Sequence, residues 1–303
     1  MVHTRVRSGM QTRPLGTTGQ DSSVVTFGAI ALNWLEQEGA DQMVELVLDH
    51  GVNHFDVAPT YGDAELKLGP KLREYREEIF LGCKTQERSY EGAWEKLERS
   101  LDRLGVDTID LYQVHGLEYA DELDDITADD GALAAFREAQ EQGLIENIGL
   151  TSHGNPGLIL DALDRIDDLE SVMFPLNPVV DAKDGDEYDY QAVLDRADRE
   201  DVGTLAIKAF AGGSWPPTAE LPEHRRPYAN WYEPVDTPET IRDRLNYTLS
   251  QGVTSVVSPG DPKLVQMVLD AGDRFAELDA AAQRSVREDA RHDGSPVPEQ
   301  LHH

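Results

Sequence analysis

The sequence predicts an α/β fold, a closed (β/α)8 barrel of eight parallel strands alternating with helices. Three observations carry that expectation. Eight short runs rich in β-branched and aliphatic residues lie at 24–30, 52–56, 79–84, 108–114, 145–151, 171–176, 202–208 and 253–258. Between most of them apolar residues recur at helical spacing, and several of these stretches close on a glycine suited to a helix C-cap. Strand and helix alternate about eight times over roughly 260 residues, the count for a closed barrel. A doubly wound sheet is the alternative, but no GxGxxG follows an early strand, where a dinucleotide fold would carry it.

Taken in order, residues 11–23 (QTRPLGTTGQDSS) carry turn signals ahead of the first strand and predict a hairpin capping the lower end of the barrel. The clearest helical stretches are DQMVELVLDHG, GAWEKLERSLDRLG, GALAAFREAQEQG and YDYQAVLDRADRED. Residues 211–237 (AGGSWPPTAELPEHRRPYANWYEPVDT) break the rhythm with five prolines and four large aromatics. A long loop of that kind inside a compact domain is usually functional, and this one leaves from the rim after strand seven. Residues 11–290 are expected to form the one barrel, with 1–10 and 291–303 as flexible tails. The two terminal histidines of the tail are expected to be solvated.

The chain has 27 Lys and Arg against 58 Asp and Glu, a net charge of -31. The acidic balance argues against nucleic acid and anionic lipid as partners, because both would be repelled, and neither is expected. The acidic residues are spread along the whole chain (DELDDITADD, DRIDDLE, DRADRED), as on a surface tuned for salt, and the expected setting is the cytoplasm of an extreme halophile. The single Cys83 excludes an intramolecular disulfide and leaves no cysteine-based zinc site. No metal ion is expected, and Cys83 reads as core filler. No apolar stretch approaches the roughly 20 residues of a membrane span, and the start, MVHTRVRSGMQTRP, has no hydrophobic signal core. A soluble, cytoplasmic protein is expected.

Four residues carry the chemistry. Asp56 and Tyr61 lie in HFDVAPTYG, Lys84 in FLGCKT and His115 in LYQVHG, each at or just beyond the end of a predicted strand. Singly, each has a plainer role: a strand-end cap, a loop aromatic, a surface lysine, a core histidine. In a parallel barrel, however, strand ends converge on one rim, so the four can share a pocket. A tyrosine can act there as an acid, a lysine as its polarising cation, an aspartate as the lysine's counter-ion, and a histidine as an orienting group. That set suits protonation of a carbonyl oxygen while hydride reaches its carbon. Lys84 is expected to lower the pKa of Tyr61, and Asp56 to keep Lys84 charged.

The order and spacing of these residues resemble those of the aldo-keto reductases. The resemblance runs from RPLGTTG to about position 272, through HFDVAPTYGDAELKLGPKL, the lysine and histidine strands, IGLTSH and IKAFAGG. It implies a TIM barrel, a small aldehyde or ketone (or the matching alcohol or sugar) as substrate, and NADP or NAD as cofactor, with NADP slightly favoured. It makes Tyr61 the general acid, with Asp56, Lys84 and His115 around it.

On the cofactor side the resemblance implies Gly28 and a carboxamide contact from Thr151 and Ser152, where the family commonly has Ser and Asn. Met173 stands where many relatives place a Gln, and Ile207 where many stack a tyrosine. Lys208, Phe210, Gly212 and Gly213 resemble the loop over the pyrophosphate. Pro259, Gly260, Asp261 and Lys263 in SPGDPKL resemble the adenosine turn at a helix N-terminus. Asp261 would oppose a 2′-phosphate there, Leu264 replaces the arginine that clamps it, and Lys263 is the remaining cation. Trp215, Trp231 and Tyr232 either wall the substrate pocket or pack as a lid, and Arg225 or Arg226 could meet an anion.

Two other functions fit the same barrel. One is a Schiff-base aldolase or isomerase with Lys84 as nucleophile, which needs a neutral amine that Asp56 opposes. The other is a cofactor-binding regulatory subunit, like the barrel subunits attached to some potassium channels.

The charge itself yields a prediction. Self-repulsion at -31 opposes the compact state, and the Debye length shrinks from about 10 Å at 0.1 M salt to about 3 Å at 1 M. Melting temperature is expected to rise from dilute to molar KCl. A flat melting temperature across that range would exclude the halophilic reading.

Overall fold

The structure is a computed structural model and describes residues 9–183, 185–291 and 293. The tail assignments for residues 1–8, 292 and 294–303, with the terminal histidines, lie outside the described residues. Met10, placed by the sequence in the first tail, packs into the main core, and Asp293 pairs with Arg244 of a barrel helix.

The chain opens with a hairpin of β1 (Thr12–Pro14) and β2 (Asp21–Ser23), paired antiparallel. Eight parallel strands then close a barrel. They are β3 (Val25–Gly28), β4 (His54–Asp56), β5 (Phe80–Thr85), β6 (Ile109–Val114), β7 (Ile145–Thr151), β8 (Ser171–Pro175), β9 (Gly203–Ile207) and β12 (Ser255–Val257). All eight expected runs contribute a strand. Outside them lie α1 (Gln37–Asp49), α2 (Ala64–Tyr75), α3 (Tyr90–Leu104), α4 (Ala120–Thr127), α5 (Ala132–Glu141), α6 (Pro156–Arg165), α7 (Tyr190–Arg199), α8 (Pro238–Leu249), α9 (Pro262–Gly272) and α10 (Ala280–Ala290). No helix among the described residues is long and apolar enough to cross a membrane.

Local chemistry explains the alternation. In α3 the Ser89 hydroxyl accepts from the Gly92 amide, and Ala93, Leu97, Ser100 and Leu104 form the buried stripe. Gly105 ends the helix at φ 68°, a left-handed conformation that favours glycine, and its amide donates to Leu101 O. The first barrel strand is shorter than the sequence suggests. Residues Ala29–Trp34 turn into a 3-10 helix, because β3 closes against the end of β12 at Gly28. A Cβ there would fall 2.7 Å from Ser258 O.

The loop from 211 to 237 also has more structure than its prolines suggest: β10 (Ala211–Gly213) pairs antiparallel with β11 (Glu233–Pro234) at its base.

The hairpin seals the lower mouth of the barrel. Leu15, at its tip, is fully buried among Phe80, Leu111, Met173, Leu205 and Val257. Gly203 makes room for it, since a Cβ there would lie 2.5 Å from Leu15 Cδ1. Replacing Leu15 with Ala would leave a cavity in that layer, and a loss of about 2–5 kcal/mol of unfolding free energy is expected. Chemical denaturation at fixed salt measures it; a loss below about 1 kcal/mol would show that the layer collapses around the smaller side chain.

Candidate active site

The upper rim gathers the four residues singled out in the sequence. Asp56 ends β4, Lys84 lies on β5, and His115 follows β6 directly. Tyr61 sits in the turn between β4 and α2, and that turn is tied down on several sides. The Tyr61 amide donates to Ala58 O (3.0 Å), the Asp63 amide to Asn33 Oδ1 (3.0 Å), and Arg103 Nη2 to Gly62 O (3.0 Å). Gly62 has φ 61°, and a Cβ on it would collide with Asn33 Oδ1 at 2.2 Å. Glycine is therefore required beside the tyrosine.

Lys84 and Asp56 form an ion pair whose side chains are only 1% and 2% exposed. Lys84 Nζ also lies 5.2 Å from the centroid of the Tyr61 ring. The His115 ring meets that ring edge-on, with centroids 6.1 Å apart. Burial works against the Lys84 charge, but Asp56 and then Tyr61 outweigh it and hold the ammonium above its ordinary pKa. The Tyr61 pKa differs from expectation. Lys84 does pull it down, yet burial of the phenol is the larger effect and the net shift is upward. Tyr61 is thus a protonated phenol at neutral pH. Burial, then Lys84, His153 and Arg88, push His115 well below the usual imidazole range, so its ring is neutral. Its Nδ1 is buried without a partner. Cys83 is core filler: it is buried, and burial and Glu65 push its thiol up to about 12.

Several expected cofactor contacts are already engaged by the protein. The Ser152 hydroxyl donates to Leu117 O (2.8 Å), so its proton is committed to the loop after β6. Thr151 Oγ1 accepts from the Gly116 amide (2.8 Å) and retains its own proton. The phenyl ring of Phe210 is buried in the main core, leaving only its backbone for the loop. Met173 faces the lower interior layer. Asp261 does not stand free beside an adenosine site. Its Oδ1 accepts from the Lys263 amide (2.8 Å), capping α9, and its Oδ2 accepts from the Ala229 amide (2.7 Å). The Gly260 amide donates to Asn230 Oδ1 (3.0 Å), and Lys263 Nζ to Pro227 O (3.2 Å). The long loop therefore crosses the turn formed by Pro259, Gly260 and Asp261.

Within that loop, Trp215 Nε1 donates to Asn230 O (2.7 Å), and the Arg226 guanidinium lies 5.5 Å from the Trp215 ring centroid. Tyr232 is buried, while Trp231 is 83% exposed. Trp215 is thus tied to its own loop. Gly212 and Gly213 form part of β10 at its base.

Lys208 has φ 58°, an uncommon conformation for a side-chain-bearing residue. Burial pushes its ammonium down to about 8, with Glu118 working in the other direction. A half-buried ammonium for which no ion pair is found among the described residues suits an anionic group such as a pyrophosphate. Together with the free Thr151 proton and the unpartnered His115 Nδ1, it fits a nicotinamide dinucleotide on this rim. The described residues contain no cluster of His, Cys, Asp and Glu that could hold a metal ion.

Sequence reading missed two neighbours. Gln113 lies two positions before His115 and so shares its inward face, a signal that strand alternation carries. His153 has its ring centroid 6.1 Å from that of His115 and is pushed down to about 3 by burial, then Lys208 and Lys84. Its position one residue past Ser152 gave no comparable signal.

Comparison with known proteins bears on the family and the fold. The chain is 31% identical over 157 residues to the oxidoreductase YqkF of Bacillus subtilis, covering 47% of this chain and 49% of that protein. It is 28% identical over 176 residues to L-galactose dehydrogenase of Arabidopsis thaliana, covering 52% and 53%. The chain thus spans about half the length of the curated relatives it matches. In fold it superposes on the holo form of an aldo-keto reductase from Bacillus halodurans with a TM-score of 0.70 at 22% identity, over 97% of this chain and all of that one. Residues 24–251 match the Aldo/keto reductase family, and the chain belongs to that family.

Proposed function

We propose that the protein is an NAD(P)-dependent oxidoreductase that reduces a small aldehyde or ketone, or oxidises the matching alcohol or sugar. The observation that carries this reading is the protonated phenol of Tyr61 set between the Lys84–Asp56 ion pair and the neutral ring of His115. Family membership supports it.

In reduction the Tyr61 hydroxyl donates its proton to the carbonyl oxygen. The phenolate left behind faces the Lys84 ammonium, which stabilises it most where water is excluded. Asp56 keeps that ammonium charged and oriented. His115, neutral, can orient the carbonyl oxygen by a hydrogen bond without competing for its proton. The nicotinamide, when bound, supplies the hydride. Lys208 would face its phosphates, and Thr151 retains a proton for its carboxamide. In oxidation the same groups run in reverse, with the phenolate accepting the alcohol proton. A Schiff-base role for Lys84 is disfavoured, because the surroundings hold the ammonium above its ordinary pKa.

The choice between NADP and NAD rests on the turn at Asp261. NADP is slightly favoured by the family resemblance, while the carboxylate of Asp261, though committed to two amides, keeps a negative charge on that turn.

Tyr61→Phe removes one hydroxyl and no proposed cofactor contact. A loss of about 10²–10⁴-fold in kcat is expected, with cofactor affinity retained. A carbonyl and sugar panel assayed in concentrated KCl, with NADH and NADPH in parallel, measures it. Turnover within a few fold of wild type would remove Tyr61 from the acid role. Tight cofactor binding with no turnover of any substrate would favour the regulatory-subunit reading.

Lys208 gives a pH test. Its ammonium is charged below about 8 and neutral above, so cofactor KM is expected to rise as pH passes upward through that value. A bound pyrophosphate would hold the charge and move the midpoint higher. Lys208→Met should raise KM at pH 7 and flatten the profile. An unchanged profile in the variant would place Lys208 away from the cofactor.

A further inference from the structure

The barrel interior beneath the ion pair is crossed by one side chain to which no role has been given. Gln113 on β6 is fully buried and lies in register with Lys84 of β5 and Gly149 of β7. Its amide Nε2 donates to Asp56 Oδ1 at 3.1 Å. The other oxygen of that carboxylate, Oδ2, meets Lys84 Nζ. Each oxygen of Asp56 therefore has its own donor, from a different strand.

The path of Gln113 is cleared by a glycine on one neighbouring strand, and a second glycine, on the other, lies beside it at ordinary contact distance. A Cβ on Gly149 would fall 2.8 Å from Gln113 Cγ and 2.6 Å from Ser171 Oγ. A Cβ on Gly82 would lie 3.5 Å from both Gln113 Nε2 and Asp56 Oδ1. Any larger residue at 149 would force Gln113 or Ser171 to shift. Gln113 Oε1 is buried without a partner, so among the described residues the bond its side chain makes is the bond to Asp56.

The geometry points to Gln113 as a positioning residue, one that fixes the Asp56 carboxylate and, through it, the Lys84 ammonium beside Tyr61. The inference rests on the proposed reading of the site. A neutral amide suits the place: it donates to the carboxylate without adding charge to a pair that is already balanced. Removing the donor leaves Asp56 held by Lys84 alone, free to rotate away from it. The groups that act on Lys84 are Asp56 from β4, Tyr61 from the following turn and Cys83 from β5. Lys84 in turn acts on His54, His115 and His153.

Two variants test this, Gln113→Met and Gln113→Glu, with kcat and KM measured against pH and the Lys84 ammonium followed by nitrogen-15 NMR. The Met variant has similar length and no donor. It should lose at least about tenfold in kcat, the scale of a group that supports another, while cofactor KM stays within about twofold. Lys84 should titrate at lower pH than in wild type, because a less fixed carboxylate supports its charge less. The Glu variant can donate to Asp56 only as the protonated acid. It should approach wild-type turnover at low pH and lose it as pH rises and its carboxyl ionises. Restored turnover at low pH is something a packing role would not produce.

Wild-type turnover and an unmoved Lys84 titration in the Met variant would overturn the proposal. So would an equal loss in both variants at every pH. If wild type reduced no carbonyl, the reading of the site would fail, while the Lys84 titration would still decide the role of Gln113.

Discussion

The buried Lys84–Asp56 ion pair is the constraint on which the rest of the site depends. Taking two charges out of water costs several kcal/mol per ion, and removing one partner from such a pair costs about 3–5 kcal/mol. Both side chains are almost wholly buried, so neither can be exchanged alone without leaving a bare charge in the barrel. The cation also acts at a distance. Burial is the first cause that keeps His54, His115 and His153 neutral, and Lys84 contributes to all three. For Tyr61 the balance goes the other way: burial outweighs the cation, so the phenol keeps its proton. Burial and the Lys84 charge together thus surround that ammonium with neutral side chains.

The second constraint is the mutual support of the long loop and the turn before α9. Ala229, Asn230 and Pro227 contribute one contact each to Asp261, Gly260 and Lys263. Helix N-termini attract anions because their amides are unpaired. Here the Lys263 amide is capped by Asp261, and the Gly260 amide is met by a loop asparagine. The chemistry of the turn therefore belongs to the loop as much as to the turn, and a change at Asn230 acts on Gly260 directly. The exposed Trp231 lies between Asn230, which holds the turn, and Tyr232, which is buried.

What could be read from the sequence follows the periodicities that generate it. Eight strands were legible because inner strands of a parallel barrel are apolar on both faces, and helix ends were legible at glycines such as Gly105. The candidate set was legible because its four residues stand at or just beyond strand ends in a fold that brings those ends together. What was not legible depends on pairs with no sequence regularity. Nothing in IGLTSH shows that Ser152 gives its proton to Leu117 O, and nothing in SPGDPKL shows that Asp261 reaches an amide 32 residues earlier. The pairing of β10 with β11 was hidden by the prolines around it. The Tyr61 shift was misjudged because its sign depends on burial against charge, and burial has no local signature in a loop.

The distribution of charge links surface and site. The chain as a whole carries -31, yet the rim concentrates cations: Lys84 and Lys208 are two of only seven lysines, and Arg88 donates to His115 O and Gly116 O. An anionic cofactor would meet long-range repulsion outside and short-range attraction within. Salt acts unequally on the two. Exposed charges beyond a Debye length are screened, while buried charges in low dielectric are screened much less. Concentrated salt therefore removes the repulsion and leaves most of the attraction. The salt dependence expected of the fold would therefore extend to the binding of an anionic cofactor.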